Sequence, residues 1–428
     1  LVLLDGVDEV PTGQPRINLL ECIGKLVQAN PDTLFVISSR PAAADGLRKE
    51  LATLSPREAH IQPLAGPKLR EFIAFWHTAV AAAAKELYIG ENCTRRCDQI
   101  AAAGIALPDK LDDAPQVKAL MGTPLLAALV CAYHLDRNTL PDNRSKLMLA
   151  LVNSLVHFHD KLRPGMPVWP AYAKLDEDDK ITLLSAIAAE MVKKLSPTIA
   201  FDTDTKAGTA AFDRHITEFL KTAGWFSKSD LPELRAGLKE RTGVLHEVQR
   251  GTLDFVHNEF RDFLAARYLM PKATKADAFK TLSKAFINAD WHGLIFFAVT
   301  ADRDKQTKGV ADKLVKQLLA DVKKPPTKLL KQQVRNKEEH AVVEHYRSLR
   351  RLAFRLGGAN PPVSQPLYTA LCNVRAAMLP PDTDQDAEII AELGNRAVPD
   401  LVYNAKHTPK RRAACAYALR LIDLPSAR

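Results

Sequence analysis

The sequence predicts an α/β segment followed by a long α-helical chain: part of a parallel sheet, then a helical domain, a winged-helix unit and a closing helical region. Three observations carry this prediction. Two short apolar runs, LVLL at 1–4 and TLFVI at 33–37, flank the amphipathic stretch INLLECIGKLVQAN, the pattern of parallel strands buried on both faces with a crossover helix between them. Beyond Leu64 the periodicity is almost entirely helical. The exception is TGVLHEVQRGTLDFVHNEF at 242–260, where two short strands around Gln249-Arg250-Gly251 make a hairpin that runs into a helix.

The first segment, 1–64, takes its strands from the two apolar runs and a third from EAHIQPL at 58–64. In 65–165, PKLREFIAFWHTAVAAAAKEL, PLLAALVCAYHL and SKLMLALVNSLVHF each have helical spacing. RPGMPVWPAYAKLDEDD at 163–179 interrupts them and reads as a linker from its prolines and glycine. A helix then restarts with Ile181, Leu184, Ile187 or Ala188, Met191 and Leu195 on one face. It opens a unit at 175–271 that closes on the hairpin, and helices ahead of such a hairpin suggest a winged helix. From 272 to 428 only helices are expected, with prolines in the loops. Its last stretch, LGNRAVPDLVYNAKHTPKRRAACAYALRLI, holds two amphipathic helices around His407-Thr408-Pro409. The first offers Val398, Leu401 and Val402, and the second Ala414, Ala418, Leu419 and Ile422. Such a pair must stack on neighbours to bury its apolar face, and it resembles a single copy of a HEAT repeat.

Composition narrows the class. With 428 residues, 46% of them hydrophobic, the chain is globular and too long for one ordinary core. A net charge of +9 is spread over short clusters such as Lys323-Lys324, Arg350-Arg351 and Lys410-Arg411-Arg412, which read as solvated helix faces rather than a nucleic-acid surface. Of six cysteines only Cys93 and Cys97 are close, and no CxxC or histidine cluster completes a zinc set, so thiols in a reducing cytoplasm are expected. His157 and His159, two apart on a helix, point to different faces and make no metal pair. No apolar run reaches the ~18 residues that a membrane helix needs. The first residue is Leu1 rather than Met, and the expectation is a piece of a longer polypeptide.

Chemistry concentrates at the strand ends. Asp5 stands at the carboxyl end of a buried strand, where open α/β sheets bind ligands. A hard cation such as Mg²⁺ takes oxygen ligands there, Gly6 leaves room, and Asp8 and Glu9 could orient or deprotonate an attacking water. A bare run of this kind more often marks a strand that ends in an acidic turn. The second strand strengthens the functional reading, because TLFVISSRP brings Ser38, Ser39 and Arg40 to the same edge, where an arginine can sense phosphate charge.

LVLLDGVDEVP followed by FVISSRP resembles the Walker B and sensor strands of the NACHT family, a STAND branch of the P-loop NTPases that act as nucleotide-gated signalling switches. Gly122-Thr123-Pro124 is similar to that family's G-x-P motif, and LPDNRSKLMLALVNSLVHF resembles the helix after it. The hairpin and helix resemble its winged-helix ending, F-x-H-x-x-F-x-(D/E)-(F/Y)-L-A-A, on Phe255, His257, Phe260, Asp262, Phe263, Leu264, Ala265 and Ala266. Four motifs in family order span roughly the first 270 residues.

The resemblance implies a bacterial, cytoplasmic ATPase that uses Mg²⁺ with ATP and ADP and self-associates on activation by a protein trigger, in some organisms as defence against phage. Asp5 would hold the metal, Asp8 and Glu9 would act on water, and Arg40, Pro124 and His257 would contact nucleotide. Pro124 would pack near the adenine and His257 would reach the β-phosphate of ADP in the resting state. Read without the family, Pro124 is a helix start and His257 a hydrogen-bonded histidine at another. Phe255, Phe260, Phe263, Leu264, Trp76, Trp169 and Trp291 read as core. One departure matters: no G-x-x-x-x-G-K-(S/T) phosphate loop occurs in the 428 residues, so this chain by itself is not expected to bind or hydrolyse ATP. The alternative reading is a non-enzymatic helical scaffold that binds a protein partner. A winged-helix nucleic-acid binder fits less well, since NEFRDFLAARYL balances Arg261 and Arg267 with Glu259 and Asp262.

Overall fold

A computed structural model describes residues 1–7, 10, 14–39, 57, 59, 61–161, 169–196, 199–200, 213–214, 216–218, 221, 228–249, 252–301, 305–331 and 336–422. The chain is mainly helical, with two small sheets. In the first, β1 (Val2–Leu4) and β2 (Phe35–Ile37) are parallel, Val2 opposite Phe35 and Leu4 opposite Ile37. The crossover is α1 (Gln14–Ala29), which buries Leu20 and Ile23 with Val7 against Leu4 and Ile37. Side chains alternate along a strand, so Leu3 and Val36 fall together on the other face, and both are exposed. The expected burial on both faces is therefore met on one face only among the described residues. The third strand is absent at 61–64: Pro63 has no N–H for a ladder, and the Leu64 N–H donates to the Gly122 carbonyl at 2.8 Å.

Helices follow. α2 (Gly66–Leu87) and α3 (Glu91–Asp113) run antiparallel, with Gly104 of α3 facing His77 of α2. A β-carbon at Gly104 would lie 2.9 Å from His77 Cγ, so close approach of the helices requires glycine there. α4 (Pro115–Leu120), α5 (Pro124–Arg137) and α6 (Arg144–Lys161) complete this bundle. Asn138, at φ +54°, closes α5 in the left-handed conformation that asparagine tolerates.

The stretch read as a linker is partly packed structure. Residues 170–173 form the short helix α7 (Pro170–Ala173), whose Tyr172 is buried against Gly237, where a β-carbon would lie 2.3 Å from the ring. α8 (Glu177–Lys194) opens with a capping box of Asp176 and Asp179. It is buried almost all round, from Ile181 and Leu183 to Ala188 and Ala189, rather than on the one face expected; its small residues let neighbours approach from every side. Leu195 leaves that stripe, capping the helix at φ +48° with its side chain exposed.

The second sheet has the order β3 (Ile199–Ala200), β5 (Thr252–Phe255), β4 (Leu245–Gln249), all antiparallel, with α9 (Leu231–Arg241) before the hairpin and α10 (Asn258–Leu269) after it. Phe255, Phe260, Phe263 and Leu264 are buried, as expected of core. The helices beyond are α11 (Ala276–Lys284), α12 (His292–Thr300), α13 (Lys305–Val322), α14 (Thr327–Lys331), α15 (Lys337–Gly358), α16 (Gln365–Ala377), α17 (Asp384–Ala391), α18 (Val398–His407) and α19 (Arg412–Ile422). One continuous core extends from Leu69 to Leu371, and a second joins Phe354 and Ile390 to Leu401, Cys415 and Ala418, so the closing helix pair does stack on its neighbour α17. Its end reaches back to the first bundle: Tyr417 donates to Gln62 Oε1 at 3.1 Å, and Leu421 and Ile422 line a cavity of about 180 Å³ with Pro63, Leu64 and Gly122.

One expected solvated cation is structural instead. Arg351 is nearly buried and donates to Asp386 at 2.9 Å, whereas Arg411 stays at the surface, where it bonds Asp382 and the Pro380 carbonyl. Among the described residues no helix is long and apolar enough to cross a membrane, and no group of three or more His, Cys, Asp or Glu side chains could hold a metal ion.

Candidate functional site

Parallel register decides what meets at the first sheet edge. Because Leu4 lies opposite Ile37, the next residues, Asp5 and Ser38, emerge side by side. The Ser38 N–H donates to the Leu4 carbonyl at 2.9 Å, and the Gly6 N–H donates to Ser38 Oγ at 3.0 Å. The Ser38 hydroxyl donates to an oxygen of the Asp5 carboxylate. Gly6 sits at φ +70°, a conformation that favours glycine, and it turns the chain so that Val7 drops into the core. The product is an exposed carboxylate with one oxygen engaged and a serine hydroxyl beside it. Such a pair suits a hard cation that keeps several waters. Asp8, Glu9 and Arg40 lie outside the described residues.

Pro124 is the first residue of α5, where its missing N–H costs nothing, and it is exposed. Thr123 caps the helix, its hydroxyl accepting from the Leu126 N–H at 3.5 Å. The Gly122 carbonyl is tied to Leu64, so the turn before Pro124 is fixed from both sides.

His257 caps α10, and its ring Nδ1 accepts from the Glu259 N–H at 3.1 Å. In the neutral ring the proton must then reside on Nε2, which leaves Nε2–H as the donor. Burial lowers the His257 pKa; Glu259 raises it, and Arg144 and Arg261 lower it further. Burial therefore favours the neutral ring.

Behind His257 lies a cluster of charges whose burial and whose partner Arg144 the sequence did not disclose. Arg144, the first residue of α6, forms an ion pair with Glu259. Its guanidinium lies over the rings of Phe296 and Phe297, 5.2 and 5.6 Å from their centroids. Arg261 is fully buried, donates through Nε and Nη2 to Asp262 Oδ1 at 3.0 and 2.9 Å, and stacks 3.9 Å over Trp291. Burial raises the Asp262 carboxyl to about 7 against the pull of Arg261. A cavity of about 300 Å³ is lined by Arg144, Glu259, Asp262, His292, Arg351 and Arg355. Among these, Asp262 lies in the winged-helix motif and Arg144 in the stretch LPDNRSKLMLALVNSLVHF, and neither pattern pairs Arg144 with Glu259. Arg144 and Glu259 are 115 residues apart, and the one sequence hint was a cation at a helix start, where the macrodipole disfavours it.

Asp5, Pro124 and His257 stand on separate elements, and none of them lines the 180 or 300 Å³ cavities. Comparison with protein-family models and with curated protein sequences finds no match.

Proposed function

We propose that this chain acts in a nucleotide-gated switch of the NACHT type, in which the sheet edge at Asp5 serves ATP hydrolysis and the hairpin–helix unit at His257 senses the product. The observation that supports it most is the pairing of Asp5 and Ser38 at one carboxyl edge of a parallel strand pair, with the other three motifs following in order along the chain. Asp5 and Ser38 offer oxygen ligands to Mg²⁺, which when bound would neutralise phosphate charge. Ser38 holds the carboxylate in place, Asp8 and Glu9 act on water, and Arg40 answers to the γ-phosphate. Pro124 bounds the base, and His257 donates from Nε2 to the β-phosphate of ADP. Self-association on a protein trigger and a role in bacterial defence come from the resemblance alone.

In the full-length protein Asp5→Ala abolishes Mg²⁺-dependent ATP hydrolysis, while Asp8→Asn and Glu9→Gln lower turnover more than nucleotide affinity. Arg40→Ala weakens ATP binding more than ADP binding. Unchanged hydrolysis in Asp5→Ala overturns the assignment.

A second reading, a non-enzymatic scaffold that binds a protein partner, is favoured by one feature: Phe75, Leu87, Ile89 and Ile105 of the α2–α3 hairpin are exposed. It predicts partner binding that neither Asp5→Ala nor added nucleotide alters.

A further inference from the structure

The donor nitrogen of His257 is set by a contact two residues away. Its Nδ1 can accept only while the Glu259 N–H points back at it, and that depends on how the first turn of α10 is held. That turn is held by the Phe260 N–H, which donates to the His257 carbonyl at 3.1 Å, by the buried Phe260 ring, and from outside by the Glu259 side chain, bonded through Oε1 to Arg144. Arg144 in turn is fixed by the faces of Phe296 and Phe297 and by its place at the start of α6. Six residues before Arg144, Asn138 ends α5, the helix that Pro124 begins. The ion pair thus joins the helix pair that carries Gly122-Thr123-Pro124 to the histidine at the head of α10.

The pair is also incomplete in a telling way. Arg144 Nε and Glu259 Oε2 are both buried and have no hydrogen-bond partner among the described residues, so one donor and one acceptor are left over from a pairing that could be twofold. The Arg144 side chain is 10% exposed, which makes an unmet donor costly. A cation at the first position of a helix is disfavoured by the macrodipole, and Glu259 offsets that only while α6 and α10 stay in register. The contact is therefore sensitive to small displacements between the two helices.

Resting on the nucleotide reading above, we infer that Arg144 is a positioning residue: through Glu259 it locks the His257 cap, keeps the proton on Nε2 and so couples the G-x-P helix pair to ADP retention. Arg144 touches no phosphate in this scheme. A shift of α6 against α10 releases Glu259, frees the cap and lets the ring present its bare nitrogen instead.

The test has two readouts. In this chain, with histidines labelled in ¹⁵N and the His257 signal assigned by its loss in His257→Gln, the ring is expected in the Nε2–H tautomer. Arg144→Gln and Glu259→Gln should each move it to a mixture of tautomers, and the exchange Arg144→Glu with Glu259→Arg should restore it in part. In the full-length protein loaded with Mg²⁺ and ADP, each single variant should raise the ADP off-rate on the order of tenfold, as loss of a charge-assisted contact implies. Arg144→Lys, which keeps the charge and the fold but not the planar fork, should fall between. An unaltered His257 tautomer in the folded Arg144→Gln and Glu259→Gln chains overturns the positioning role. Absence of ADP binding by the unsubstituted full-length protein overturns the nucleotide reading instead, and the tautomer measurement still decides what Arg144 does.

Discussion

Asp5 and His257 each follow a short strand, yet the molecule holds them by different means. Asp5 is exposed; the register of two three-residue strands and one serine hydroxyl place it, over a small core of Val7, Leu20 and Ile23 with a bare apolar face at Leu3 and Val36 behind. His257 is half-buried, capped through Nδ1, and backed by Arg144, Glu259, Arg261 and Asp262 on the continuous core. A group held by backbone register can be replaced without loosening the fold. Behind His257 the buried pair of Arg261 and Asp262 carries stability, whereas the ring itself supplies one cap bond, whose loss costs about 1 kcal/mol.

The largest effect that sharpens this contrast is Arg261→Ala. It strands the buried Asp262 carboxyl and uncovers Trp291, and chemical denaturation should show a loss of about 3 kcal/mol, the lower end for breaking a buried pair because Asp262 can take up a proton. A loss near zero would mean the cluster carries no stability.

Acid should act on the fold in two opposed directions. Burial holds His134 and His292 at about 4, below the ordinary 6.5, so the unfolded chain binds protons that the folded chain refuses. Each histidine's contribution is present above pH 6.5 and is lost as pH falls towards 4, at about 1.4 kcal/mol per pH unit. Asp262 has the opposite sign. Its folded value of about 7 lies above the ordinary 3.8, so its contribution is present at low pH and is lost as pH rises through 7. Asp262→Asn removes that compensation, and the variant should lose about 1.4 kcal/mol per pH unit more than the parent between pH 6.5 and 4. Equal acid slopes in the two proteins would contradict a raised Asp262.

At the sheet edge the expected changes are smaller. Ser38→Ala removes the partners of Gly6 N–H and Asp5 and should cost about 1 kcal/mol, read from the denaturation midpoint. Asp5→Asn, at an exposed carboxylate, should change stability by less than about 0.5 kcal/mol while hydrolysis in the full-length protein falls. A large loss of stability in Asp5→Asn would place Asp5 among structural residues.

The sequence disclosed what depends on local spacing. β1, α1, β2, the hairpin with α10, and the α18–α19 pair all follow from apolar runs, turn residues and helical period. It did not disclose what depends on contacts between distant segments. Tyr172 lies in a proline-rich stretch that looks like a linker, yet it is packed as a helix because Gly237 leaves a hollow for its ring and Glu233 accepts from the Ala171 N–H. α8 looks amphipathic, but Ala186, Ala188 and Ala189 let it be surrounded. Arg351 reads as half of a surface doublet until Asp386 is placed against it. Of the candidate site, Asp5, Pro124 and His257 were legible at strand and helix ends, whereas Arg144, the ion-pair partner of Glu259, comes from a helix more than a hundred residues earlier.

ADP dissociation and melting temperature, measured on the same preparation of full-length His257→Ala, decide whether His257 holds the product. If Nε2–H donates to the β-phosphate, the loss of a hydrogen bond to a charged group raises the ADP off-rate by about ten- to 150-fold, and the melting temperature stays within a few degrees of the parent. A stably folded variant with an unaltered ADP off-rate contradicts the account and leaves His257 as a helix cap.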